Sequence, residues 1–162
     1  MSFICTRQKL KDVVIHLEVS LRSNAGIGYS GGGVQIRVPS LPATIIDMGG
    51  YQADIGFGNG LSVWGDVVDL FDKSYMHLTG EWHTRKAALD ARQIRNLSTS
   101  RPVNMIVYAR GTQILVLIDG ILANNFTQPN MRKTEGHICL QAERLSNQHM
   151  AIVYSGIEIW AL

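Results

Sequence analysis

From residue 12 to residue 22 the chain reads Asp-Val-Val-Ile-His-Leu-Glu-Val-Ser-Leu-Arg. Ile15, Leu17, Val19 and Leu21 fall on one side of an extended chain, and His16, Glu18, Ser20 and Arg22 on the other. Side chains of a strand alternate between faces, so this period of two predicts a half-buried antiparallel strand. Further β-rich runs are expected at 33–38, 51–55, 61–64, 104–109, 112–118, 121–126, 137–141 and 151–161. Arg110-Gly111 and Asp119-Gly120 each sit between two such runs. Asp-Gly favours a type I′ hairpin, whose two central residues both need positive φ. Residues 104–126 therefore read as a three-stranded meander, and the whole chain as mostly antiparallel β with nine or more strands.

Two segments depart from this pattern. Residues 24–33 hold five glycines and one serine, which suits a loop or a strongly bent edge better than a strand interior. Residues 82–97 are rich in helix formers and place Ala87, Ala91 and Ile94 at i, i+4, i+7, so one short helix is expected there. No linker or internal repeat interrupts the 162 residues, which predicts a single domain over 1–162. Many short strands, hairpin turns and at most one helix make an all-β sandwich or jelly roll the natural class.

Composition narrows the choice of function more than of fold. Apolar residues make up 46% and charged residues 17%, a balance that excludes a disordered chain and a coiled coil. The formal net charge of +2 advertises neither nucleic acid nor an anionic membrane as partner. The basic run Arg85, Lys86, Arg92, Arg95 and Arg101 reads as a solvated face, because it lacks interleaved aromatics. No apolar run approaches the ~20 residues of a membrane span, and the first residues lack the ~7–15 apolar residues of a secretory signal. Cys5 and Cys139 can form one long-range disulfide or remain two buried thiols, and the compartment stays open between these. The five histidines show no metal-binding spacing, and Asp47, Asp66 and Asp69 lie in no Asp-x-Asp-x-Asp-Gly loop, so neither metal nor cofactor is expected.

Several stretches, in order, resemble the 3-keto-disaccharide hydrolase family. Gly50-Tyr51-Gln52-Ala53-Asp54-Ile55 is similar to the family's Gly-Tyr-Gln-Ala-Asp-Ile/Val strand, and Trp64-Gly65-Asp66-Val67-Val68-Asp69 to its Trp-Gly-x-Leu-Tyr-Asp-Glu. Ala109-Arg110-Gly111-Thr112-Gln113-Ile114 with Ile118-Asp119-Gly120-Ile121 resembles its Ala-x-Gly-x-x-Ile and Ile-Asn-Gly-Val hairpin. Gly136-His137-Ile138-Cys139-Leu140-Gln141 and Val153-Tyr154-Ser155-Gly156-Ile157-Glu158-Ile159 resemble its Gly-x-Ile-x-Leu-Gln and closing strand. Upstream, Asp12-Val13-Val14-Ile15-His16-Leu17-Glu18-Val19 and Gly33-Val34-Gln35-Ile36-Arg37 also fit. The family's usual N-terminal strands, its Tyr-Asp-Glu triplet (here Val68-Asp69-Leu70) and its Leu-Gln-x-His imidazole (here Glu143) are not matched.

The resemblance implies a concanavalin-like jelly roll of two antiparallel sheets, a carbohydrate ligand, and an exported protein. It also implies action on 3-oxidised glycosides, in which the ketone acidifies the C2 hydrogen and a general base starts the cleavage. The polar residues standing at motif positions are Arg37, Gln52, Asp54, Asp69 and Gln141. Arg37 is the candidate clamp on a keto oxygen, Asp54 or Asp69 the candidate base, and Gln52 and Gln141 the hydrogen-bonding partners. Trp64 is the favoured aromatic platform, ahead of Tyr29, Tyr75 and Trp82, and Glu143 is an available carboxylate. Gln52 and Asp54, two apart on a strand, share a face. The structural alternative is a buried Arg–Asp pair bracing the sandwich. Three functions compete: a 3-keto-glycoside hydrolase or lyase, a non-catalytic lectin-like module, and a protein-interaction domain. The oligomeric state is left open.

Overall fold

The computed structural model describes residues 2–23, 30–41, 49–58, 61–62, 64–71, 101–142 and 150–162. Eleven strands lie among them: β1 (Ser2–Cys5), β2 (Val13–Ser23), β3 (Ser30–Val38), β4 (Tyr51–Gly58), β5 (Leu61–Ser62), β6 (Val67–Asp69), β7 (Val103–Arg110), β8 (Gln113–Ile118), β9 (Ile121–Thr127), β10 (His137–Ala142) and β11 (Met150–Ala161). They form two antiparallel sheets, a jelly-roll sandwich. The first runs β1-β10-β3-β4-β5, with β6 also paired to β4, and the second runs β11-β2-β7-β8-β9. The expected meander is the run β7-β8-β9. β1 and β6 are additions to the expected strands, and the run at 61–64 shrinks to β5 with Trp64 in a turn. The helix expected at 82–97 lies outside the described residues.

The two hairpins of the meander close differently. Asp119 and Gly120 both have positive φ, 49° and 78°, as the type I′ turn requires. In the other, Arg110 pairs with Gln113, and only Gly111 of the two loop residues has positive φ, the type II′ pattern.

Periodicity decides the core. In β2, Val13, Ile15, Leu17 and Val19 are buried, and in β7 Val103, Met105, Val107 and Ala109 are buried, facing Val34, Ile36, Tyr51, Ala53, Ile55, Ile138 and Leu140 of the first sheet. The outer face of the second sheet is partly or fully exposed, whereas residues 32–38 of β3, 51–56 of β4 and 137–141 of β10 are buried along both faces. The candidate polar residues of the first sheet therefore lie inside the molecule.

Trp64 is fully buried in this core. The next residue, Gly65 at φ +80°, lies so close to the second sheet that a Cβ would meet the Ala123 Cβ at 2.5 Å. The ring thus presents no face to solvent and fills the sandwich. Replacing Trp64 with Ala should cost ~3–5 kcal/mol in stability, the range for emptying a large aromatic site. Urea unfolding measures this directly, and a loss within experimental error would contradict core burial.

The glycines of 30–33 are interior strand rather than loop or bent edge. β3 is the third strand of its sheet, and neighbours crowd it from both faces. A Cβ on Gly32 would collide with Ile152 and the Gln141 carbonyl on the core side. A Cβ on Gly33 would come within 2.6 Å of the Ala53 carbonyl oxygen and 2.7 Å of Gln52 Cγ on the other. Close approach, not flexibility, explains this part of the glycine run. Residues 24–29 lie outside the described residues.

Cys5 and Cys139 are directly opposed in the β1–β10 ladder and form a disulfide. This resolves the cysteine alternatives in favour of the bridge, which fastens a four-residue edge strand to the sheet.

Candidate functional site

The outer face of the first sheet is a grid that the strand registers spell out. One row runs Cys5, Cys139, Gln35, Gln52, Val68, and the next runs Phe3, Gln141, Gly33, Asp54. Residues opposed in antiparallel pairs share a face, so these side chains project the same way. Gly33 contributes no side chain, and the three polar groups around it lean across the gap.

They are joined to Gln35 by hydrogen bonds. Gln35 Nε2 donates to Gln52 Oε1 at 2.7 Å and to Gln141 Oε1 at 3.2 Å. Gln52 Nε2 donates in turn to Asp54 Oδ1 at 2.6 Å and to the Gly32 carbonyl at 3.3 Å. Donors thus point along the chain Gln35, Gln52, Asp54 and end on the Asp54 carboxyl. All four side chains are buried, at 2–6% exposure. Gln35 Oε1 is buried and has no hydrogen-bond partner among the described residues, an acceptor that a hydroxyl can use. Beyond this row, Gly31 and Gly56 oppose each other, extending the floor without side chains.

Gln52, Asp54 and Gln141 are therefore brought together, as their motif positions suggested, and Gln52 shares its face with Asp54. Arg37 and Asp69 are not with them. Between β10 and β3 the step from His137 to Cys139 faces the step from Val38 to Gln35, one residue longer. This bulge and the left-handed backbone of Arg37 (φ 57°) break the alternation. Val38 packs with Cys139, while Arg37 turns toward the second sheet, where its Nη2 lies 3.7 Å from Asp12 Oδ1 and its Nη1 donates to Met131 Sδ. Burial pulls the guanidinium below its ordinary pKa, and Asp12 pulls it back. This is the bracing Arg–Asp pair of the structural alternative, with Asp12 as the acid.

Asp69 opposes Tyr51 in the β4–β6 ladder and so shares the core-side face. Its Oδ1 accepts from the Phe71 backbone N–H at 2.9 Å, and its Oδ2 accepts from Gln128 Nε2 at 3.5 Å. Tyr51, whose hydroxyl accepts from the Arg132 N–H at 3.0 Å, is pushed to a higher pKa chiefly by burial. Asp69 and Arg37 thus flank Tyr51 at one end of the sandwich, on the opposite side of the sheet from Asp54. Glu143 lies outside the described residues, as do Tyr29, Tyr75 and Trp82.

Gln35 and Gly33 were not among the expected site residues. The signal was present in Gly33-Val34-Gln35-Ile36-Arg37, where Gln35 is polar on a strand with buried apolar neighbours on either side. On the core side of the same strand, Tyr154 of β11 donates its hydroxyl to the Gln141 carbonyl, and burial keeps this phenol neutral far above its usual range.

Gly33→Ala should disturb the site more than the fold's hairpins. The added methyl must displace Gln52 or the Ala53 carbonyl, costing ~1–3 kcal/mol as an overpacking change. Thermal unfolding checks the cost, and amide resonances of Gln52 and Gln35 should shift together. A variant as stable as the parent with unmoved resonances would contradict the packing described.

Among the described residues, no group of three or more His, Cys, Asp or Glu side chains is placed to hold a metal ion, and no helix is long and apolar enough to cross a membrane. A family model, described as the 3-keto-alpha-glucoside-1,2-lyase-like domain, matches residues 1–159. No curated protein matches the chain by sequence. Solved structures share the fold at low identity. A candidate glycosyl hydrolase from Parabacteroides distasonis ATCC 8503 superposes with TM-score 0.63 and 14% identity, over 99% of this chain and 83% of that one. The carbohydrate binding module CBM66 from Bacillus subtilis gives 0.55 and 15%, over 98% and 80%. CG-16, a homodimeric agglutinin from chicken liver, gives 0.51 and 9%, over 98% and 100%.

Proposed function

Because the chain belongs to the 3-keto-alpha-glucoside-1,2-lyase-like family, we propose that it binds a sugar on the outer face of the first sheet, around Gly33, and that Asp54 is the base for eliminating the glycosidic substituent from a 3-keto-glucoside. The observation that carries this reading is the buried chain Gln141, Gln35, Gln52, Asp54, gathered from three strands onto one face. The solved structures of like fold include a carbohydrate binding module and an agglutinin, which supports a sugar as the ligand.

In the reaction, the C2–H bond breaks and its proton passes to the Asp54 carboxylate. The electron pair spreads into an enolate over C2, C3 and the ketone oxygen, then forms the C1–C2 double bond as the C1–O bond breaks. The departing oxygen takes up the proton that Asp54 received from C2, which returns Asp54 to its carboxylate, and a 1,2-unsaturated 3-ketosugar remains. The amide of Gln141 donates to the ketone oxygen as charge collects there, and Gln35 Oε1 accepts a ring hydroxyl. Gln52 is a positioning residue, since its amide holds the carboxylate in place. Arg37 and Asp69 have no part in this scheme.

The lectin-like reading keeps the same face and the same amides without turnover. Incubating the protein with a 3-keto-α-glucoside and following the enone absorbance tests the proposal, beside calorimetric titration with the unoxidised parent glucoside. Enone formation supports the lyase. Binding without turnover supports the module alone, and absence of both overturns the site. The disulfide further supports export to an oxidising compartment, where such bridges persist.

A further inference from the structure

The second sheet carries a different surface on its outer face. Strand registers align Trp160, Val14, Tyr108 and Leu115 in one row across β11, β2, β7 and β8. The adjoining row runs Glu158, His16, Ile106, Leu117, Leu122. Trp160 is 48% exposed and Leu122 46%, and Tyr108 is half-buried. Polar groups fence this band. On one side stand Glu18, which accepts from Ser155, and Asn104, whose Oδ1 lies 3.3 Å from His16 at the β2 end of the row, and on the other Gln113 donates to Asn125 at 2.9 Å. The band is thus a narrow stripe running across the strands, apolar except for the Glu158–His16 pair at its β11 end.

Its dimensions choose among occupants. Five strands at ~4.8 Å spacing and two rows along them cover roughly 300–350 Å², by the standard sheet repeats. A stable protein dimer needs about 800 Å² from each partner, so the stripe is too small to hold a second copy. A slender chain fits it better. Trp160 and Tyr108 lie two strands apart, ~9.6 Å at the ordinary strand spacing, and that separation matches the repeat of two pyranose rings in an extended β-1,4-linked chain. The CH-rich face of a pyranose packs on an aromatic ring, while its equatorial hydroxyls reach outward to neighbouring polar groups. Glu158, two residues before Trp160 on the same strand, supplies an exposed carboxylate at the ring's edge, 3.6 Å from His16 Nδ1.

We propose that this stripe is a second glycan-binding surface, on the opposite sheet from Gly33, which takes an extended β-1,4-linked polysaccharide on Trp160 and Tyr108. It would hold the domain on a polymer while the first sheet engages a sugar. The inference stands on the second sheet alone and does not depend on Asp54 or on turnover.

The test is depletion of the intact protein from solution by microcrystalline cellulose, chitin and insoluble β-1,4-mannan. At least one of these should retain the wild type. Trp160→Ala and Tyr108→Ala should each weaken retention about tenfold, the worth of one good stacking contact, and Trp160→Phe should restore most of it. Trp160 is half exposed, so Trp160→Ala should melt within a few degrees of the parent and leave sugar binding around Gly33 unchanged. Failure of all three polymers to retain the wild type overturns the proposal, as does equal retention of Trp160→Ala. Sedimentation serves as a further arm. A wild-type dimer that Trp160→Ala dissolves would assign the stripe to a second copy and also overturn it.

Discussion

Asp54→Asn should abolish conversion of a 3-keto-α-glucoside, lowering kcat by about 100- to 10,000-fold, the usual worth of a positioned general base. The substitution is nearly isosteric, and the new amide oxygen can still accept from Gln52 Nε2, as Asp54 Oδ1 does at 2.6 Å. Stability should therefore change little, and the affinity for the unoxidised parent glucoside should fall by less than the turnover does. What the variant loses is the capacity to take up a proton. Rate and binding thus separate in this variant if Asp54 is a base, because removing an interaction made only in the transition state lowers kcat without a matching change in KM. Asp69→Asn and Arg37→Lys serve as contrasts. Both residues lie on the Tyr51 side of the sheet, so neither should change turnover by a factor approaching that of Asp54. Equal losses in Asp69→Asn and Asp54→Asn would overturn the assignment of the base.

Breaking the disulfide should have the largest effect on stability after emptying the Trp64 site. Cys5 and Cys139 are 134 residues apart, so their bridge closes most of the chain into a loop. In the chain-entropy view, a bridge over so long a loop removes much of the freedom of the unfolded chain, and removing such a bridge typically costs ~2–5 kcal/mol. For a domain of this size that corresponds to a fall in Tm of about 5–15 °C. Cys5→Ser with Cys139→Ser should show it in calorimetry, and the wild type in excess reductant should melt near the double variant. The loss has a local consequence too. Among the described strands β1 pairs with β10 alone, and its Phe3 stands beside Gln141 in the site's row. Loosening β1 should therefore weaken sugar binding around Gly33 and leave polysaccharide retention on the second sheet intact. A melting temperature equal to that of the parent would show that the ladder alone secures β1.

The hairpin at Asp119-Gly120 was legible in the sequence because the chemistry of a tight turn is local: both residues must take positive φ, and both do. The same holds for β2, whose alternation of Ile15, Leu17 and Val19 with His16 and Glu18 recurs in the burial. Gln52 and Asp54 could be placed on one face for the same reason. Gln141 and Gln35 could not be joined to them by spacing, because 106 residues separate that pair and only the β10–β3 register brings them together. The helix expected at 82–97 and the carboxylate of Glu143 lie outside the described residues.

Arg37 shows where periodicity stops being enough. Two positions after Gln35, it should by alternation project beside it, and one extra residue in β3 sends it to the other side. A slip of one residue exchanges the faces of everything beyond it. Trp64 and the glycines at 30–33 make the complementary point. Their composition reads as loop and platform, but packing makes Trp64 a core residue, crowds Gly32 against Ile152 of the opposite sheet and crowds Gly33 against Gln52 and Ala53 of its own.

By itself, then, the sequence determined that this chain is antiparallel β, where its tight turns fall, and which family its motifs belong to, because each of those rests on short-range geometry. The tertiary structure alone decided that Cys5 meets Cys139, that Gln35 completes the amide chain to Asp54, and that Arg37 leaves it. These depend on registers between strands distant in sequence and on a single bulge, and no local pattern encodes either.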